Sequence, residues 1–335
     1  MNNGLQQLDP NDVRIFSGRS NPELARKIAE QLSVPLEETH ISRFSNDNLY
    51  VQLGASVRGR TVYIVQSLVP PVSDHLVELL MMLDIAKSAS AREVHAIIPY
   101  FSYARSDKKD APRISITSRL VADLLVTAGA NHIMTMQLHS PQVHGYFSIP
   151  ADPLTARGLF ANHFRGKKYK ADDTVVVAPD VGGAKSSARF AQMLELPVAS
   201  AHKTRVADKK VEIGGLFGRQ VKGFRRALVH DDEIATGGTA VKLCQLLVEQ
   251  GIEEITLICT HGLFLGNALD RLSSIPEVQE FVTTDTVHIP VARRPSNMTV
   301  LSTAPVFGGA IRQNYSRLSI GELFDFGQDG DEESV

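Results

Sequence analysis

Residues 225–239 read Arg-Arg-Ala-Leu-Val-His-Asp-Asp-Glu-Ile-Ala-Thr-Gly-Gly-Thr. Ala227, Leu228 and Val229 form a short apolar run of the kind that makes a buried strand. From Ala240 to Val248 the apolar residues recur at helical spacing, so Thr236-Gly237-Gly238-Thr239 lies between a strand and the N-terminus of a helix. A helix start presents N–H groups without intrahelical partners and the positive end of the helix dipole, which suits a phosphate group. Two glycines let the backbone approach such a group closely, and two threonines add hydroxyl donors. Asp231 and Asp232, at the strand end, are able to accept from vicinal sugar hydroxyls. The stretch therefore reads as a sugar-phosphate site, although turns rich in Gly, Thr and Asp also serve as ordinary solvated connections.

The strand-turn-helix unit is repeated along the chain. Apolar β-rich runs at 61–66, 94–99, 132–137, 174–178, 227–229 and 255–259 alternate with helical patterns at 22–32, 74–89, 116–128, 184–195 and 239–250. This alternation predicts an α/β chain with parallel sheets. Residues 124–139 also match residues 246–261 without a gap: Leu124, Leu125, Val126, Gly129, Ile133 and His139 coincide with Leu246, Leu247, Val248, Gly251, Ile255 and His261. Both segments run helix, glycine cap, strand, histidine, which points to two related domains. A length of 335 residues fits two domains of about 150 residues each. The polar stretch Arg165–Asp173 follows a boundary expected near 150–155. We therefore read 1–154 as an N-terminal domain, 155–320 as a C-terminal domain and 321–335 as an acidic tail that frays.

Composition narrows the class of function. The chain is 43% hydrophobic and 21% charged, with no long apolar run and no leader pattern, so a cytoplasmic globular protein is expected and a membrane span is not. A formal net charge of -2 speaks against a broad nucleic-acid surface, which needs accumulated Lys and Arg. Only two cysteines occur, Cys244 in an expected helix and Cys259 in an expected strand. Both read as core residues and not as a disulfide or thiolate metal site.

Other clusters stand where strands end. After the strand at 94–99 comes a charged loop, Arg105-Ser106-Asp107-Lys108-Lys109, whose cations are suited to a polyphosphate and equally to water. Near the N-terminus, Arg43-Phe44-Ser45-Asn46-Asp47-Asn48 places an aromatic face beside amides, a combination that stacks on a base and reads its edge, while Phe44 alone also fits a core position. His139 and Asp180 each follow a strand, at the edge where open α/β sheets bind ligands. A histidine with a carboxylate is able to hold one Mg²⁺ whose remaining ligands are water and phosphate, though a lone histidine is often structural. Residues 179–186 lack the Gly-Lys-Ser/Thr ending and the spacing of a P-loop. In Ala201-His202-Lys203-Thr204-Arg205, after an expected edge strand at 196–200, two cations one residue apart on an extended segment point the same way. That segment reads as a mobile basic flap.

Taken together, these segments resemble the ribose-phosphate pyrophosphokinase (phosphoribosyl-pyrophosphate synthetase) family over nearly the whole chain. The likeness runs from Val13–Gly18 through Arg43-Phe44-Ser45, Ser56–Gly59, Pro99–Phe101, Tyr103–Arg105, Leu138-His139, Pro179–Gly183 and Lys203 to Asp231–Thr239 and Thr260–Gly262. The resemblance implies two tandem phosphoribosyltransferase-like domains, each a mainly parallel sheet flanked by helices. It further implies transfer of the diphosphoryl group of ATP to the C1 hydroxyl of ribose 5-phosphate, with Mg²⁺ and a homo-oligomeric state from dimer to hexamer. By residue, it implies that Phe44, Asn46, Asn48, Arg105, Ser106 and His139 bind ATP and that His139 and Asp180 bind the metal. Lys203 and Arg205 would be catalytic, and Asp231, Asp232, Ala235, Thr236, Gly237, Gly238 and Thr239 would bind ribose 5-phosphate.

The chain also departs from the family pattern. Asn46-Asp47-Asn48 stands for Asp-Gly-Glu, Gln137 for an aspartate, and Ala235 for the acid before Thr-Gly-Gly-Thr, whose work would pass to Asp231, Asp232 or Glu233. These changes leave two alternatives open: a different 5-phosphoribosyl acceptor such as ADP-ribose, or a non-catalytic regulatory paralogue.

Overall fold

The computed structural model describes residues 5–167, 169–207, 210–218 and 221–323; for 202–207, 210–218 and 322 it describes the backbone alone. The chain forms two compact units.

The first unit contains β1 (Val13–Ser17), β2 (Leu36–Glu37), β3 (Thr39–Arg43), β4 (Leu49–Leu53), β5 (Thr61–Val65), β6 (Glu93–Ile98), β7 (His132–Met136) and β8 (Ala151–Leu154). Its helices include α1 (Pro22–Leu32), α2 (Val72–Ser88) and α3 (Thr117–Ala128). Six strands form one sheet in the order β2-β1-β5-β6-β7-β8, and every pairing in it is parallel. Strands β5 and β7 are buried along their whole length, as expected of parallel strands covered on both faces, and this is why they read as continuous apolar runs and not as alternating ones. A separate antiparallel hairpin, β3 with β4, was not foreseen from the sequence. Only Val51 on it is fully buried, so its alternation carries little signal.

The second unit contains β9 (Thr174–Ala178), β10 (Val198–Ala207), β11 (Lys210–Gly218), β12 (Arg226–Ile234), β13 (Glu254–Gly262), β14 (Val278–Thr284) and β15 (Met298–Leu301). Its helices are α4 (Arg157–Arg165), α5 (Ala184–Met193), α6 (Gly238–Glu249) and α7 (Ala268–Ser273). The sheet order is β11-β10-β9-β12-β13-β14-β15, parallel except for the antiparallel pair β10 and β11. The core on one face of this sheet joins Val175, Val177, Val229, Ile255, Leu257 and Phe281 with Leu243 and Leu247 of α6.

The internal match survives in three dimensions. Helix α3 ends at Gly129 with φ 126°, and α6 is followed by Gly251 with φ 91°. In each case the residue after the glycine donates its N–H to the equivalent leucine carbonyl, Ala130 to Leu125 and Ile252 to Leu247, both at 3.1 Å. Parallel strands β7 and β13 follow at the same spacing.

Three features differ from the sequence reading. The strand expected at 227–229 runs from Arg226 to Ile234, because backbone pairing with β13 continues through the carboxylates as far as Gly262. The strand expected at the sheet edge is covered: β10 is longer and pairs with β11, which holds the edge. The chain also returns to the first unit after Leu301. Helix α8 (Ala304–Tyr315) packs on α1, with Phe307, Ala310 and Ile311 fully buried, and residues 302–323 belong to the first unit, whereas the sequence reading assigned 155–320 to the second. The acidic end, 324–335, lies outside the described residues. No described helix is long and apolar enough to cross a membrane. Both cysteines are unpaired and buried, and burial pushes each thiol up to about 12.

Candidate functional site

The candidate ligand residues of the second unit gather at the carboxyl ends of β9 and β12. Asp231 and Asp232 are the sixth and seventh residues of β12 and are half-buried. The Asp232 N–H donates to Asp231 Oδ1 at 2.9 Å. Burial, with the Asp232 and Asp180 carboxylates nearby, pushes the Asp231 carboxyl well above the usual carboxylate range. Such a crowd of like charges favours a proton or a cation. Glu233 is buried in the same strand end.

The turn that follows is shaped by its neighbours. Ala235 accepts the N–H of Leu265 at 2.9 Å, and Ile234 accepts those of Leu263 and Phe264, so the loop after β13 braces the loop after β12. Gly237 sits at the left-handed N-cap of α6 with φ 72°. The left-handed backbone favours glycine, and a Cβ there would lie 3.3 Å from Ala268 Cβ and 3.4 Å from Leu272 Cδ1 of α7, close enough to press on Ala268. The Val241 N–H makes the first helical bond, to Gly237. The N–H groups of Gly238, Thr239 and Ala240 therefore form the open first turn of α6. Thr236 is exposed beside it, and Gly238 and Thr239 are half-buried.

Asp180 follows β9. Its Oδ1 accepts the Gly183 N–H at 2.9 Å, closing a turn that leads into α5. One residue before the Asp pair, His230 points to the face of β12 opposite Asp231. It is stacked on Phe190 at 4.7 Å between ring centroids, and its Nδ1 lies 3.1 Å from Ser187 Oγ. Burial, with Arg157 nearby, lowers its pKa to about 4, so the ring is neutral under ordinary conditions. Lys203 and Arg205 lie on β10, paired with Ile213 and Val211 of β11; their side chains, and residues 208–209, lie outside what is described.

The first unit carries a second group at the carboxyl ends of its own strands. Arg105 is exposed and Ser106 half-buried in the loop after β6, and His139 is exposed in the loop after β7. Gln137, where the family pattern has an acid, is buried with φ 42° and donates its N–H to Leu154. Phe44, Asn46 and Asn48 lie at the tip of the β3–β4 hairpin. Phe44 is 57% exposed and meets Tyr50 edge-on at 5.7 Å, so it is not a core residue. Asn46 Oδ1 accepts the Asn48 N–H at 3.3 Å. Asp47 takes the left-handed conformation at φ 69° that the family fills with glycine. Its carboxylate and carbonyl oxygens receive Arg43 at 2.7 and 2.8 Å, and the same guanidinium reaches Asp74 of α2 at 2.5 Å. Asp74 lies 31 residues from Arg43, too far for any local pattern to show that it anchors the hairpin.

Comparisons with known proteins agree with this architecture. The family model for the N-terminal domain of ribose phosphate pyrophosphokinase matches residues 13–129, and that for the phosphoribosyl transferase domain matches 146–292. A putative ribose-phosphate pyrophosphokinase of Streptomyces coelicolor is 50% identical over 94% of this chain and 98% of its own length. The ribose-phosphate pyrophosphokinase of Caldanaerobacter subterraneus subsp. tengcongensis is 41% identical over 94% of this chain and 98% of its own. Among solved structures, phosphoribosylpyrophosphate synthetase from Mycobacterium smegmatis superposes with a TM-score of 0.84 at 36% identity, covering 91% of this chain and 99% of that one. The chain belongs to the ribose-phosphate pyrophosphokinase family, a family of transferases.

Proposed function

We propose that this chain transfers the β,γ-diphosphoryl group of ATP to the C1 hydroxyl of ribose 5-phosphate. The bond formed joins the C1 oxygen to the β-phosphorus, the bond broken joins that phosphorus to the α-phosphate oxygen, and AMP leaves. The hydroxyl proton is lost, and phosphoribosyl pyrophosphate is the other product. The observation that carries the reading is the open first turn of α6, Thr236–Thr239, set directly after Asp231 and Asp232. In this reading the turn holds the 5-phosphate and the two carboxylates hold the sugar hydroxyls, while the Ala235 side chain contributes no polar atom.

The remaining roles follow the family pattern. Phe44 stacks on adenine with Asn46 and Asn48 beside it, and Arg105, Ser106 and His139 take the nucleotide phosphates. Lys203 and Arg205 neutralise the transferring group, since diphosphoryl transfer needs positioning and charge compensation more than covalent chemistry. Asp180 offers a hard carboxylate oxygen of the kind Mg²⁺ takes; among the described residues no group of three or more His, Cys, Asp or Glu side chains is placed to hold a metal ion, so water and phosphate oxygens would complete its shell. His139 and Asp180 would be the protein ligands of Mg²⁺, which would supply charge neutralisation for the phosphate oxygens. The protein would act in the cytoplasm as a homo-oligomer, between dimer and hexamer.

The acceptor is tested by AMP release from ATP and Mg²⁺ with ribose 5-phosphate, with ADP-ribose and with no acceptor. AMP that forms only with ribose 5-phosphate is expected. Release with ADP-ribose in its place moves the acceptor, and release with none of them favours a regulatory chain.

A further inference from the structure

Strands β6 and β7 are parallel neighbours, so the loops that follow them leave the same edge of the sheet. On the functional reading above, the first loop brings Arg105 and Ser106 to the nucleotide and the second brings His139. Parallel pairing aligns where two loops begin and leaves their further course open. Here one residue ties them together. Asp107 is 6% exposed, and its Oδ2 accepts from Ser140 Oγ at 2.7 Å and from Gln142 Nε2 at 2.5 Å. Its carbonyl oxygen accepts the Tyr146 hydroxyl at 2.5 Å. Three bonds thus run from the residue two places after Arg105 to the segment that begins one place after His139. Among the described residues no cation pairs with this carboxylate. Its donors are neutral groups of the neighbouring loop, so its contacts are specific to that loop. The far side of Ser106 is held independently: its carbonyl accepts Ser118 Oγ at 2.9 Å, and its Oγ lies 3.2 Å from Thr117 Oγ1 at the start of α3.

We propose that Asp107 is a positioning residue for nucleotide binding: its buried carboxylate fastens the loop after β6 to the loop after β7, so that Arg105, Ser106 and His139 address one polyphosphate together. The inference rests on the assignment of those three residues to ATP. A side chain that holds two loops in register acts on whatever both loops grip and leaves the ribose 5-phosphate side of the reaction alone.

The test is calorimetric titration of the full chain with the Mg²⁺ complex of α,β-methylene-ATP, which cannot be cleaved between the α- and β-phosphates. Wild type, Asp107→Ala, Asp107→Asn, Ser140→Ala and the double variant D107A/S140A are compared, with melting temperature and KM for ribose 5-phosphate measured alongside. Loss of a charged acceptor shared by two donors predicts binding weaker by about tenfold or more in D107A. D107N should fall between D107A and wild type, because its amide oxygen still accepts one donor. KM for ribose 5-phosphate should stay within about twofold of wild type, and D107A/S140A should bind no more weakly than D107A alone, as expected of two groups in one interaction. Wild-type affinity in D107A overturns the proposal. So does a parallel rise in both substrate constants with a fall in melting temperature, which would mark a general structural role. Absence of nucleotide binding by wild type would instead overturn the functional reading on which the proposal rests.

Discussion

His230 and Asp231 are consecutive residues of β12 with opposite surroundings, and the contrast follows from the two-residue period of a strand. Asp231 has the carboxylates Asp232 and Asp180 close by, while His230, on the other face, turns inward to Phe190 and Ser187. Burial lowers the His230 pKa to about 4 from the ordinary imidazole value of 6.5. The unfolded chain therefore binds the proton first as pH falls. The stability tied to a neutral His230 is complete above pH 6.5 and is lost between pH 6.5 and about 4, amounting to about 3 kcal/mol. Denaturant unfolding of wild type and His230→Val across that window should show the wild type losing more stability than the variant. Equal losses would remove His230 as the cause. The sequence showed the Asp pair, the glycines and the threonines of this segment, since each is a residue type with a local meaning. It did not show that α7 packs closely on Gly237, where an added Cβ would lie 3.3 Å from Ala268, since that contact joins positions 31 residues apart.

At the scale of elements, hydrophobic periodicity revealed what is buried and missed what is not. Helix α1 and strand β9 fall where their apolar residues predict, because α1 buries one regular face and β9 is buried along its whole length. The β3–β4 hairpin escaped notice because its side chains are mostly half-buried or exposed and its attachment to α2 runs through Arg43 and Asp74. Helix α8 escaped for a different reason. Its partner is α1, nearly the whole chain away, and sequence order alone assigns it to the nearer unit. Phe307 is fully buried on α8, so Phe307→Ala should destabilise the first unit by about 3–5 kcal/mol in denaturant unfolding. A loss below about 1 kcal/mol would mean that α8 contributes little to that unit's core.

For the whole molecule, two parallel sheets and a matched helix-glycine-strand segment in each unit were readable from composition and spacing alone. The family likeness supplied what spacing could not: the expectation that the loops of the first unit serve the nucleotide and the loop after β12 the sugar phosphate. The departures at Asn46, Asn48, Gln137 and Ala235 fall on loops and strand ends, outside the hydrophobic clusters that hold the two sheets, although Gln137 is buried. They bear on chemistry. The claim that most needs testing is therefore that a chain with alanine before Thr-Gly-Gly-Thr still moves a diphosphoryl group to ribose 5-phosphate. Phosphorus NMR of a reaction containing the purified full chain, ATP, Mg²⁺ and ribose 5-phosphate tests it most directly. The account predicts AMP and a new sugar-linked diphosphate in equal amounts, with no ADP. ADP with a singly phosphorylated sugar product, or an unchanged ATP spectrum, would contradict it.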